Sequence, residues 1–286
     1  MTAKIHPFYD DITNTYSYIL ADSVSNKCAV IDAVKEFDYS SGRTDTSLID
    51  RIVSTIKDEK YELDWILETH IHADHLSAAP DLKAQLGGRV GIGEKIVDVQ
   101  SIFKDIFNAE DGFKPDGRQF DHLFKDGETF SIGELEGKII HTPGHTPACI
   151  CYHIEDMVFV GDTIFMPDVG TARADFPGGD AHILYKSIKQ LLNLPLQTRM
   201  FVCHDYPPEG RETRYETSVA EQKESNMHAR DGISEDEFVS MRQARDLTLD
   251  MPTLMIPSVQ INMRGGNLPP VEKNGVRYIK VPLDLL

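Results

Sequence analysis

Four side chains able to bind a metal fall within six residues of this chain, in Thr69-His70-Ile71-His72-Ala73-Asp74-His75, at the end of a strand-like run that opens at Leu63. Side chains at i and i+2 of an extended segment leave on the same face, so His70 and His72 depart together. Asp74 and His75 then serve a neighbouring position. Sites in α/β proteins form at the C-terminal ends of strands, so the fold must bring other strand ends to this one. His145, in Pro143-Gly-His-Thr-Pro147, and His204, which ends Arg199-Met-Phe-Val-Cys-His204, meet that need. Imidazole is the commonest protein ligand for zinc and non-haem iron, and adjacent carboxylates orient the rings. His6, His122, His153, His182 and His228 stand alone and read as packing or solvent residues, and His141 as either a structural residue or one that supports a ligand from behind.

The flanking segments show what surrounds those ends. Ser17–Leu20 and Cys28–Asp32 are β-rich runs joined by a turn-rich segment. Thr46–Lys57 carries Leu48, Ile49, Ile52, Val53 and Ile56 on one helical face. A helix follows over Ser77–Leu86, stopped by Gly87-Gly88, then a short strand from Arg89 and a helix over Glu94–Asn108. Residues 108–126 are polar and rich in Gly, Pro and Asp, as in a surface excursion. Strands are expected over 128–132, 137–142, 148–153 and 157–162, a helix over 180–192, and a last strand over 199–204. Residues 212–230 and 235–246 read as charged helices and the rest as an irregular tail. This order predicts two similar sheets with helices outside, a four-layer αββα sandwich, with residues 1–230 as the catalytic domain and 231–286 as an extension packed on it.

Composition narrows the partners. Twenty-nine basic against 46 acidic residues give a net charge of −17, a field that repels phosphate backbones and anionic membranes, so neither nucleic acid nor membrane is expected as a partner. No stretch approaches the roughly 18 apolar residues of a membrane span, and the N-terminus lacks a signal-peptide run, so a cytoplasmic location is expected. The cysteines 28, 149, 151 and 203 lack CxxC spacing and read as buried core thiols, although Cys149 and Cys151 share a strand face.

Thr69-His-Ile-His-Ala-Asp-His75, Thr142-Pro-Gly-His-Thr146, Gly161-Asp-Thr163 and His204-Asp-Tyr206 resemble the ordered metal motifs of the metallo-β-lactamase superfamily, and Asp32 resembles its early strand aspartate. The resemblance spans residues 10–230 and implies the αββα fold. It also implies that His70, His72 and His145 can serve one zinc, Asp74, His75 and His204 a second, with Asp162 bridging. That inventory permits a dinuclear zinc hydrolase of a thioester such as an acylglutathione.

The segment Arg173-Ala-Asp175-Phe176 instead resembles the persulfide dioxygenases of the glyoxalase II-like branch. That resemblance implies one Fe(II) per chain on His70, His145 and Asp162, two histidines and a carboxylate that leave positions open for a substrate sulfur and for O2. Glutathione persulfide and O2 are then the substrates, sulfite and glutathione the products. His72, Asp74, His75 and His204 become surrounding catalytic residues, and the substrate-binding set is Arg173 and Tyr206 at the thiol-substrate end of the pocket, with Asp175 fixing the Arg173 side chain. Two features depart from the shorter members of that branch: Pro207-Pro208-Glu-Gly-Arg211 follows the His-Asp-Tyr motif, and a long tail containing Asn262-Met-Arg-Gly-Gly-Asn-Leu-Pro-Pro270 follows that. This tail resembles a bacterial subgroup of persulfide dioxygenase-like proteins and is expected at the substrate mouth or in a homodimer contact.

Overall fold

The computed structural model describes residues 3–285. Its first half contains β1 (Ala3–Asp10), β2 (Thr15–Asp22), β3 (Lys27–Ile31), the two-residue strands β4 (Val34–Lys35), β5 (Phe37–Asp38) and β6 (Arg43–Thr44), α1 (Ser47–Asp58), β7 (Glu62–Leu67), β8 (Leu76–Ser77), α2 (Ala79–Leu86), β9 (Arg89–Gly93), α3 (Ile96–Ile106) and β10 (His122–Phe124). The second half contains β11 (Thr129–Ile132), β12 (Leu135–His141), β13 (Ile150–Ile154), β14 (Met157–Phe159), α4 (Ala181–Leu192), β15 (Arg199–Phe201), β16 (Glu216–Ser218), α5 (Val219–Ser225), α6 (Glu235–Asp246) and α7 (Met255–Asn262).

Two six-stranded sheets result, ordered β1-β2-β3-β7-β9-β10 and β11-β12-β13-β14-β15-β16. In the first, β3, β7, β9 and β10 run parallel because α1, α2 and α3 carry each crossover. In the second, only β14 and β15 are parallel, joined through α4. Strand alternation makes the layers: on β2, Tyr16, Tyr18 and Leu20 point into the core between the sheets, while Ile19 and Ala21 point to the helices. On β12, Ile139 faces the inter-sheet core and Ile140 the helix side. The expected αββα sandwich is the fold observed.

Four local expectations need correction. Ala3–Asp10, not read as a strand, pairs antiparallel with β2 along its whole length. The excursion over 108–126 ends as β10, a parallel edge strand on β9, and buries Phe113 and Phe120. The helix expected over 212–230 shrinks to α5, capped by the Ser218 side chain, because residues 216–218 pair with β15 and Glu216 makes a two-point ion pair with Arg199. The strand over 199–204 is therefore not the last. The irregular tail contains α7, buried at every residue but Ile256, so its apolar residues show no amphipathic period. Pro257 lies in its first turn, where no backbone donor is needed.

Residues after 230 pack on both helix layers: Phe238 and Val239 of α6 join the core under α4, and Met255, Val259 and Met263 join the core under α1–α3. No helix among the described residues is long and apolar enough to cross a membrane. All four cysteines are buried and unbridged. Burial pushes the Cys149 and Cys151 thiols up to about 12, and each Sγ lies against a threonine hydroxyl, Thr146 at 3.1 Å and Thr142 at 3.2 Å.

Candidate metal centre

Because β3 and β7 are parallel neighbours, their C-terminal ends lie side by side and place Asp32 against the 68–75 loop. Asp32 takes a left-handed backbone (φ 49°) that aims its carboxylate into the loop. It accepts from the Thr69 N–H at 2.7 Å, the Thr69 hydroxyl at 2.9 Å and His72 Nε2–H at 3.0 Å. Burial alone would raise this carboxyl, but His72 and the Thr69 donors outweigh it and hold it below the ordinary carboxylate range.

These contacts decide which ring nitrogens remain free. The Thr69 hydroxyl, spent on Asp32, accepts from His70 Nδ1–H at 3.0 Å. His145 Nδ1–H donates to the Arg173 carbonyl at 2.8 Å, and His204 Nδ1 lies 3.2 Å from the Thr15 hydroxyl and 3.3 Å from the Asn14 carbonyl. His72 is tied through Nε2, so its Nδ1 is the free atom. The free Nε2 atoms of His70 and His145 lie 3.8 and 3.7 Å from Asp162 Oδ2. Two donors on one ion at about 2.1 Å stand roughly 3.0–3.6 Å apart, so this triad sits within a few tenths of an ångström of binding distance.

The other Asp162 oxygen, Oδ1, lies 3.3 Å from His204 Nε2. That nitrogen is also 3.3 Å from Asp74 Oδ2, which is 3.5 Å from His75 Nδ1. Two donor sets thus share Asp162. The fit to metal rests on orphaned atoms: His70 Nε2, His72 Nδ1, both nitrogens of His75, His204 Nε2 and Asp162 Oδ1 are buried without a hydrogen-bond partner. So many unsatisfied polar atoms converging on one place is costly unless a cation takes them. Burial, reinforced by the neighbouring His72, pushes His70 and His75 down, keeping them neutral as ligands must be. Burial opposes charge on His72 and His204 too, but Asp32 and Asp74 respectively outweigh it and raise both, so a cation at these donors competes with protons.

A cavity of about 450 Å³ opens on the triad, lined by His145, Asp162, Arg173, Tyr206 and Arg245 among others. Arg173 donates through Nε and Nη2 to Asp175 at 2.6 and 2.8 Å and through Nη1 to the Asp250 carbonyl at 2.8 Å. Its guanidinium lies over Phe176, whose ring meets His145 edge-on at 5.3 Å. Asp175 stands behind Arg173 and does not line the cavity. Tyr206 stacks on His204 at 5.8 Å and stays 46% exposed toward the cavity. The Pro-Pro-Glu-Gly-Arg insert is anchored by Arg211, which donates to both oxygens of the buried Asp205 at 2.8 and 2.6 Å.

Four contributors escaped the sequence reading. Glu68 Oε2 lies 3.5 Å from His72 Nε2; its signal is an acid directly after an apolar strand. Arg242 and Arg245 lie one turn apart on α6, a segment read only as a charged helix. Both line the cavity, but Arg242 is buried, donating to Asp246 at 2.8 Å and the Thr171 carbonyl at 3.0 Å, whereas Arg245 makes no ion pair among the described residues. Asn262, on the unforeseen α7, bonds the backbone of the 72–77 loop.

The sandwich and the shared donor sets define a class: the chain belongs to the metallo-β-lactamase superfamily, whose family pattern matches residues 12–204. It is 51% identical to the "Probable metallo-hydrolase" of Burkholderia pseudomallei over 99% of each chain. It is 27% identical to the mitochondrial persulfide dioxygenase ETHE1 of Homo sapiens, over 92% of this chain and 88% of that one. The crystal structure of ETHE1 from Myxococcus xanthus superposes with a TM-score of 0.73 at 27% identity, covering 92% of this chain and all of that one. The protein is accordingly an enzyme of a metal-binding superfamily, with relatives named as a hydrolase and as a dioxygenase.

Proposed function

We propose that this chain is a persulfide dioxygenase, taking glutathione persulfide and O2 to glutathione and sulfite, with water supplying sulfite's third oxygen. The observation that carries the reading is the triad itself: His70 Nε2, His145 Nε2 and Asp162 Oδ2 converge, and His145 and Asp162 line a cavity of about 450 Å³, large enough for a tripeptide thiol. Held on these three residues, a single Fe(II) supplies redox chemistry that zinc lacks and open positions for a sulfur and O2. Around it, Asp32 fixes the His72 ring, Asp74 and His75 flank His204, and His204 Nε2 is placed to hold a proton between Asp74 and Asp162. The substrate's carboxylates face Arg245 and the outer edge of Arg173, while Tyr206 closes the thiol end. Against a protein charge of −17, these cations and the metal make the local positive field a dianion needs.

The approach of Asp162 Oδ1 to His204, and the hydrolase-named relative, favour a second reading: two zinc ions hydrolysing a thioester such as an acylglutathione. Paired assays separate the two. Oxygen uptake with sulfite formation on adding glutathione persulfide, and no release of thiol from an acylglutathione, is the result expected. Thioester hydrolysis without oxygen uptake would overturn it.

A further inference from the structure

The loop that carries His72, Asp74 and His75 has little regular structure between β7 and β8, so its backbone groups need partners from elsewhere. Asn262, 3% exposed at the end of α7, supplies them. Its Nδ2 donates to the His72 carbonyl at 2.9 Å and the His75 carbonyl at 2.8 Å, and its Oδ1 accepts from the Ser77 N–H at 2.8 Å. One carboxamide therefore spans the whole run from His72 to Ser77.

The platform behind it is itself held. Gln100 of α3 donates to the Met263 carbonyl at 2.8 Å, and Arg264 pairs with Glu110 at 2.6 Å. Gly266, at φ 81°, lets the tail pass so close that a Cβ there would meet the Ser77 carbonyl oxygen at 2.9 Å and Pro80 Cδ at 2.6 Å. From the other side Glu68 accepts from the Ser77 hydroxyl at 2.5 Å. The donor loop is clamped between β7 and the C-terminal helix.

We propose that Asn262 is a positioning residue of the metal centre: by fixing the backbone of the loop that carries His70 together with His72, Asp74 and His75 it makes the C-terminal helix a requirement for full metal affinity. It touches neither substrate nor the reacting atoms. The inference rests on the metal assignment above and not on the choice between oxidation and hydrolysis.

The test uses the full chain and Zn(II), which binds the nitrogen and oxygen donors without redox chemistry. Zn(II) affinity is measured by competition with a chromophoric chelator, and melting temperature is read with and without Zn(II). Asn262→Asp is isosteric and keeps an oxygen for Ser77 but turns the other against two carbonyls; Asn262→Ala removes all three bonds. Ser258→Ala, on the same helix, removes a buried hydroxyl that has no partner and serves as control. Both Asn262 variants should bind Zn(II) about tenfold or more weakly and show a smaller Zn(II)-induced rise in melting temperature, with the control unchanged. Equal loss of melting temperature with and without Zn(II), at unchanged Zn(II) affinity, would reduce Asn262 to a packing role and overturn the proposal. Failure of the wild-type chain to bind Zn(II) would instead overturn the metal assignment, and this inference with it.

Discussion

His145 Nδ1–H donates to the backbone carbonyl of Arg173 at 2.8 Å, so the segment that walls the cavity also orients a metal donor. The link is through main chain, which separates the two roles of residue 173: replacing its side chain leaves the His145 tautomer in place while removing a cation from the pocket.

Arg173→Ala should therefore raise KM about tenfold or more, the range of a lost charge-assisted hydrogen bond, while metal content per chain stays at the wild-type value. Steady-state kinetics on metal-quantified protein check this. Arg245→Ala, which removes the cavity's unpaired cation, should act in the same direction without disturbing any ion pair in the structure. An unchanged KM in both variants would place the substrate's carboxylates elsewhere.

The triad and its surroundings part company in a metal count. His70→Ala, His145→Ala and Asp162→Ala should each lose the metal, whereas His204→Ala should retain it and lose turnover. A fall to half the metal content in His204→Ala would mark a dinuclear site.

Asp32→Ala strips the His72 ring and two Thr69 donors of their acceptor in the buried interior. Breaking a buried charged pair from one side costs about 3–5 kcal/mol. Denaturant titration of metal-free protein should show a loss of that order, and Asp32→Asn, which keeps an accepting oxygen, a smaller one.

His228, which belongs to neither donor set, sets a pH dependence of its own. Burial, aided by Arg242 and Arg245, lowers it from 6.5 to about 4, and its Nδ1 accepts from the Thr171 N–H at 3.1 Å. The neutral ring is what the fold holds, so this contribution is fully present above pH 6.5 and is lost as pH falls toward about 4, because the unfolded chain takes up the proton first. The loss is on the order of 3 kcal/mol. Stability measured between pH 7 and 4 should fall with that slope, and His228→Gln should flatten it.

The donors were legible because His70, His72, Asp74, His75, His145, Asp162 and His204 are chemically distinctive types at strand ends, and strand ends follow from local apolar pattern. α1 was legible for a similar reason, its five buried residues repeating at helical spacing. α7 was not, because a helix buried nearly all round carries no periodic signal. Asn262 and Arg245 were hidden with it: an asparagine in a tail and an arginine on a charged helix acquire their parts only when tertiary packing sets one against the His72 carbonyl and the other in the cavity wall. Asp175 was legible as well: read as the residue that fixes Arg173, it pairs with that guanidinium at 2.6 Å and stands behind it, outside the cavity wall.

The proposed reaction requires one iron on His70, His145 and Asp162. Elemental analysis of protein purified without added metal tests it most directly. One iron per chain and no stoichiometric zinc is the result expected; two zinc ions per chain would rule the dioxygenase out.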